Sequence, residues 1–276
     1  MGEPGRLRLA ATLPVSGSRR ERYVHVALPL VLIMFLVVTH SISPSFYKTL
    51  VIEDGAVEYA TAGVYFIGFV CGLVLARRLY AKRNFAWALL YACLSSGFLF
   101  VALEEISWGQ RIFQFGTPEF IEERNIQGEI GLHNLSSFRL LLHPAYIAVG
   151  FAGAFGSLIL SRLRVPIPIV ARLLPPPHLF FYFVPCCLFY LTAEIISPFT
   201  TIRYSGELGV QYEGRLQDPR GILAIPAYLL DLVRDLVLIG GSTGGQNFSF
   251  WRHQEPVELL LSLGFLFFVT SRLGKE

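Results

Sequence analysis

Charge is scarce in this chain. Asp, Glu, Lys and Arg make up 16% of its 276 residues, against 53% hydrophobic residues and a mean hydropathy of +0.53. That balance exceeds the apolar content one soluble core needs and points to the membrane class. Cysteine is rarer still: Cys71, Cys93, Cys186 and Cys187 all fall within apolar runs, which excludes an extracytoplasmic disulfide framework. The adjacent Cys186 and Cys187 read as helix packing. No Lys follows the glycine-rich stretch 240–245 in the position a phosphate loop requires, and no His-Glu-x-x-His motif is present, so neither nucleotide cradle nor compact zinc helix is encoded. The basic N-terminal segment carries no small-residue cleavage pattern before its apolar run, which predicts a retained first helix and not a signal peptide.

What is abundant is apolar sequence of membrane-spanning length. Runs of the required ~17–25 residues occur at 26–43, 57–76, 85–103, 140–161, 178–196 and 256–271, predicting an all-α polytopic membrane helix bundle of six transmembrane helices. Charge sorts by side under this scheme. Arg6, Arg8, Arg19, Arg20, Arg22, Arg77, Arg78, Lys82, Arg83, Arg162, Arg164, Arg172, Arg272 and Lys275 share one side with Glu3, Glu21 and Glu276, while all other acids lie on the opposite side. Basic short loops stay inside, so both termini are expected in the cytoplasm of a multi-pass protein of the bacterial inner (plasma) membrane. The basic loops are thus topology signals, and nucleic acid is excluded as a partner.

The predicted organisation is a basic cytoplasmic segment 1–24, one transmembrane domain 25–271 with extracytoplasmic loops 104–139 and 197–255, and a cytoplasmic tail 272–276. In the first loop, Thr117 and Pro118 predict the cap and first position of a surface helix over 120–124, with Asn125 ending it. In the second, the stretch 221–240 is apolar but carries Pro226, Asp231, Arg234 and Asp235, which suits an interfacial or re-entrant helix. The alternative is a seventh span, which would move the C-terminus outside.

The densest chemistry lies at 104–134. Glu104 and Glu105 close the third span, followed by Trp108, Gln110, Arg111, Glu129, His133 and Asn134. If the helix continues, Glu104, Trp108 and Arg111 fall at i, i+4 and i+7 on one face, a groove suited to a polar headgroup. Glu53, Asp54 and Glu58 open the second span, His143 the fourth and Glu258 the sixth, while Glu194 closes the fifth. Ionisable groups at membrane depth usually face a cavity, a partner or a pathway, so these helix ends are expected to converge on one outward-facing pocket. Glu255, beside Pro256, reads as a helix-start residue. His25 and His40 read as interfacial, and His178 as an inner-side helix start.

The string Glu-Glu-Ile-Ser-Trp-Gly-Gln-Arg at 104–111, with Thr117-Pro118-Glu119, Asn-x-Gln-Gly-Glu at 125–129 and Leu132-His133-Asn134, resembles an uncharacterised family of bacterial polytopic membrane proteins. Glu53-Asp54-Gly55 with Glu58-Tyr59 and Thr61-Ala62 is similar to its second signature. The resemblance covers roughly 50–135 and implies a shared membrane fold without an activity. Intramembrane CAAX-type proteases pair Glu-Glu with an Arg after three residues, whereas Arg111 follows after five, and their Phe-x-x-x-His pattern is missed by one position at Phe138 and His143. The late His-x-x-x-His of alkaline ceramidases is absent.

These residues predict action on a membrane lipid or lipid-linked substrate by hydrolysis or group transfer. Glu104, Glu105 and His133 are the candidate catalytic residues, and Trp108, Gln110, Arg111, Glu129 and Asn134 the candidate substrate contacts. Glu104, Glu105, His133 and Glu258 are the candidate ligands of a divalent metal. A transporter or proton- or cation-coupled protein running through Glu58, Glu194 and Glu258 is the first alternative. The second is a non-catalytic subunit that docks a protein partner through its outer loops.

Overall fold

The computed structural model describes residues 19–52, 54–122, 130–132, 136–163, 172–196, 202–204, 210–212 and 254–274. Apart from a short hairpin they form helices. The long ones are α1 (Arg19–Ile42), α3 (Ala56–Ala81), α4 (Phe85–Glu105), α7 (Ser136–Leu163), α8 (Phe180–Ile196) and α9 (Gln254–Leu273). Short helices α2 (Pro44–Val51), α5 (Gln110–Phe113) and α6 (Glu119–Glu122) lie between them. Strands β1 (Ile202–Tyr204) and β2 (Val210–Tyr212) pair antiparallel, with Arg203 opposite Gln211.

Among the described residues five helices are long and apolar enough to cross a membrane, while the apolar stretch Pro177–Thr192 around α8 is shorter. At 1.5 Å per residue, α8's 17 residues reach about 25 Å, somewhat less than the ~30 Å hydrocarbon core. All six runs picked out by hydropathy are helical over their described residues. The stretch 221–240 and most of the loop 197–255 lie outside the described residues.

The helices pack as a row: α4 on α3, α3 on α9, α9 on α8 and α8 on α7, with α1 laid against α8 and α9. Tyr182, Phe183, Leu75, Leu260, Leu261 and Val269 are fully buried between them. The outward faces remain apolar, with Leu89 67%, Val31 64% and Phe66 52% exposed. Apolar surface this continuous around a bundle belongs against lipid. A second, smaller cluster joins Leu36 of α1, Tyr47 and Val51 of α2 and Val57 of α3. Hydropathy does not mark α2, because eight residues are too few to register as an apolar run, although Ser43 and Pro44 form a helix-start pair.

Close packing rests on small residues, as expected where no hydrophobic drive separates helix from lipid. A Cβ on Gly72 would meet Ser95 Oγ of α4, and one on Gly150 would sit 2.6 Å from the backbone nitrogen of Cys187 in α8. Hydroxyls within the spans bond back to their own helix: Thr61 to the Val57 carbonyl at 3.0 Å, Ser95 to that of Tyr91 at 2.6 Å and Ser262 to that of Leu259 at 2.8 Å. They are satisfied locally and form no relay.

The two ends of the row differ in chemistry. At one end, guanidinium and hydroxyl groups cap backbone carbonyls: Arg78 donates to Leu273 at 3.0 Å, Arg272 to Leu174 at 3.3 Å and Tyr91 to Arg172 at 3.4 Å. Helix C-termini leave such carbonyls without intrahelical donors. The start of α1 and the end of α9 meet here, His25 lying against Phe267. The opposite end gathers the acids.

Candidate functional site

Glu255 and Glu258 stand three residues apart in the first turns of α9, which puts both on one face. Glu105, the last residue of α4, reaches the same point. One carboxylate oxygen from each of Glu105, Glu255 and Glu258 lies within 4.8 Å of the others. Glu258 is buried, 4% exposed, and the other two are half-buried. Glu58 of α3 and Glu104 add their charge to the same region.

Tyrosines back the cluster. Tyr190 of α8, 1% exposed, donates its hydroxyl to Glu258 Oε1 at 2.5 Å. Its ring stacks on Tyr146 of α7 at 4.3 Å and 3°, with the His143 ring 5.2 Å away. Tyr65 of α3 is also buried beside Glu105 and Glu258. Thus α3, α4, α7, α8 and α9 all contribute to one acidic, phenol-lined site, with tyrosines as the contribution of α8 and, beside His143, of α7.

Its membership departs from expectation at several residues. Glu104 does not join the triad: buried at 6% exposure, its Oε1 accepts from Trp108 Nε1 at 2.6 Å. Successive helical residues are rotated by about 100°, so Glu104 and Glu105 diverge. Glu255, grouped with Glu258 at the start of the sixth span but not among the expected ligands, stands where Glu104 was expected. The i, i+3 spacing of Glu255 and Glu258 was the available signal, masked by the ordinary preference for acids at a helix N-terminus.

Trp108 reaches Glu104 by a different route from the predicted continuous helix. Helix α4 ends at Glu105, and Ser107, Trp108 and Gly109 all take left-handed backbone angles, with φ of 46°, 55° and 78°. Two non-glycine residues in that region cost roughly 1–2 kcal/mol each; the turn folds the indole back onto Glu104. The i, i+7 alignment of Arg111 with that face is lost with the helix, and its side chain lies outside the described residues.

Gln110 is engaged within the loop and not free for substrate. Its Nε2 donates to Thr117 Oγ1 at 2.6 Å and its Oε1 accepts from the Ile130 amide at 2.8 Å. The described part of the surface helix after Thr117 is Glu119–Glu122, and the expected end at 124 and 125 lies outside the described residues. Glu129, His133 and Asn134 lie outside the described residues, as does the side chain of Glu194.

Three carboxylates this close repel by roughly 3–4 kcal/mol per ionised pair at an effective dielectric near 20. The site must therefore bind protons or a cation. Oxygen-only donors suit hard ions such as Mg²⁺, Mn²⁺ or Ca²⁺ better than zinc.

Trp108→Phe removes the charge-assisted bond to Glu104 while keeping an aromatic ring. The expected cost is about 1.5–3 kcal/mol, read as a lower unfolding midpoint in detergent. An unchanged midpoint would show that the bond holds nothing in place.

Comparison with protein-family models, with curated proteins and with solved structures finds no match for this chain.

Proposed function

We propose that this is a membrane-embedded enzyme that acts on a lipid or lipid-linked substrate by hydrolysis or group transfer, with Glu105, Glu255 and Glu258 as its reactive centre. The observation that carries this reading is the convergence of three carboxylates, from two helices distant in sequence, at one end of an otherwise apolar bundle. In this reading the triad holds a hard divalent cation, which would activate water or steady an anionic leaving group. Without a metal, a protonated carboxyl beside an ionised one would supply general acid and base. Tyr190 holds Glu258 in place. Arg111 is assigned to an anionic headgroup and His133 to proton transfer, on the strength of their position in the loop after α4.

The lipid assignment draws on the surface beside the acids. Ile112, Phe113 and Phe115 are 56%, 76% and 42% exposed, forming an apolar lip where acyl chains can lie while a headgroup meets the carboxylates. Chemistry at one face is favoured over transport because the hydroxyls of Thr61, Ser95 and Ser262 are closed on their own helices. We place the acidic end outside the bacterial inner membrane and both termini in the cytoplasm, with six spans, on the distribution of Lys and Arg. The motif at 104–134 supports the resemblance to an uncharacterised family of bacterial polytopic membrane proteins.

The test uses purified protein in detergent, Mn²⁺ titration and turnover of mixed membrane lipids followed by mass spectrometry. Glu105→Gln, Glu255→Gln and Glu258→Gln should each weaken Mn²⁺ binding and stop lipid turnover. Wild-type cation uptake and turnover in all three would sink the proposal.

A further inference from the structure

At the end of the bundle opposite the acids, two residues from α1 and two from the start of α8 meet. Glu21 and His25 are four apart on α1, hence one turn apart on one face. His178 and Tyr182 are likewise four apart, His178 in the turn Pro177–Leu179 that leads into α8. The His25 and His178 rings lie 5.4 Å apart, and the Tyr182 ring lies 6.4 Å from His25. Phe267 of α9 forms the apolar floor, 4.6 Å from His25 and 5.3 Å from Tyr182.

Two polar atoms here are not satisfied by the protein. Tyr182 is fully buried, and neither its hydroxyl nor His25 Nδ1 has a hydrogen-bond partner. A buried hydroxyl left without one costs about 1–3 kcal/mol, and such groups in a native fold call for an explanation such as a water or an ion. Both histidines are half-buried.

We infer that His25 and His178 are the imidazole ligands of a transition-metal site of the Zn²⁺ class, with the Tyr182 hydroxyl facing the third position. On a tetrahedral zinc with Zn–N bonds of about 2.0–2.1 Å, two imidazoles hold their ring centres roughly 5 Å apart, close to the separation seen here. Glu21, whose charge acts on His25, offers a carboxylate to offset that of the cation. The donors are nitrogen-rich, which selects zinc or copper over the hard ions suited to the acidic triad. The metal would pin α1, which has limited contact with the bundle, to α8. It ties down the N-terminal helix and takes no part in the chemistry proposed for the carboxylates.

The experiment uses untagged, metal-free, full-length protein in detergent, titrated with Zn²⁺ by calorimetry and with Co²⁺ by visible absorption, and melted with and without Zn²⁺. One Zn²⁺ per chain should bind with an affinity untouched by Glu258→Gln. His25→Ala and His178→Ala should each weaken it at least tenfold and abolish the Zn²⁺-dependent rise in melting temperature, which follows from binding to the folded state. Tyr182→Phe should alter the Co²⁺ spectrum. If His178→Ala does not fold, His25→Gln, which keeps a polar side chain at the start of α1, carries the test alone. Zn²⁺ binding that survives the His25 variants, or that disappears with Glu258→Gln, would overturn the assignment.

Discussion

Glu258→Gln is expected to leave the bundle folded, to raise its stability in the cation-free state, to weaken Mn²⁺ binding and to stop lipid turnover. The amide keeps the shape of the carboxyl, and its oxygen can still accept from the Tyr190 hydroxyl that now sits 2.5 Å from Glu258. What the substitution removes is one of three mutually repelling charges held within 4.8 Å. Relief of such functional strain commonly returns about 0.5–2 kcal/mol. Glu258→Leu removes the charge and also leaves a buried tyrosine hydroxyl without this acceptor, so it should be less stable than the Gln variant. Thermal unfolding in the presence of a chelator, beside Mn²⁺ titration, separates the two effects. A Gln variant that is markedly less stable than wild type would mean that Glu258 is a structural hydrogen-bond acceptor and not part of a charged centre.

Gly150→Leu should have the largest effect on the fold. The first side-chain carbon would lie 2.6 Å from the Cys187 nitrogen and 3.0 Å from its Cα. Those are backbone atoms of a helix and cannot swing aside, so α7 must move off α8. Overpacking of this kind costs about 1–3 kcal/mol, occasionally more, and packing is the main force that holds helices together in lipid. The damage should reach the site, because Tyr146 on α7 and Tyr190 on α8 stack across this interface. Gly63→Ala is the control: nothing lies within 4 Å of its added carbon, and exchanging helical Gly for Ala should add about 0.5–1 kcal/mol. Equal unfolding midpoints for the Gly150 and Gly63 variants in detergent would refute this account of the interface.

Helices were the legible part of this protein. Crossing hydrocarbon demands a continuous apolar run with every backbone group bonded internally, so length and hydropathy alone located all six long helices to within a few residues at most ends. The segregation of Glu58, Glu105 and Glu258 from Arg78, Arg172 and Arg272 followed from the same alternation of spans. The short α2 and the left-handed turn at 107–109 were not legible in hydropathy. Neither leaves a periodic signal, and serine and tryptophan at positive φ are chosen by tertiary contacts, not by propensity.

Which acids meet was decided only by the tertiary structure. Adjacent Glu104 and Glu105 look like a pair in one dimension, but helical rotation sends one to Trp108 and the other to α9. Glu255, not among the expected ligands, is brought opposite Glu105 because α4 and α9 both flank α3. His25, read as interfacial, and His178, read as an inner-side helix start, face each other only because α1 lies against the start of α8. Sequence determined that the chain forms apolar helices with charge sorted to their ends, since that depends on each segment's own balance of backbone bonding and hydrophobicity. The composition of each charged cluster depends instead on which helices touch and how each is rotated, and that is a property of packing.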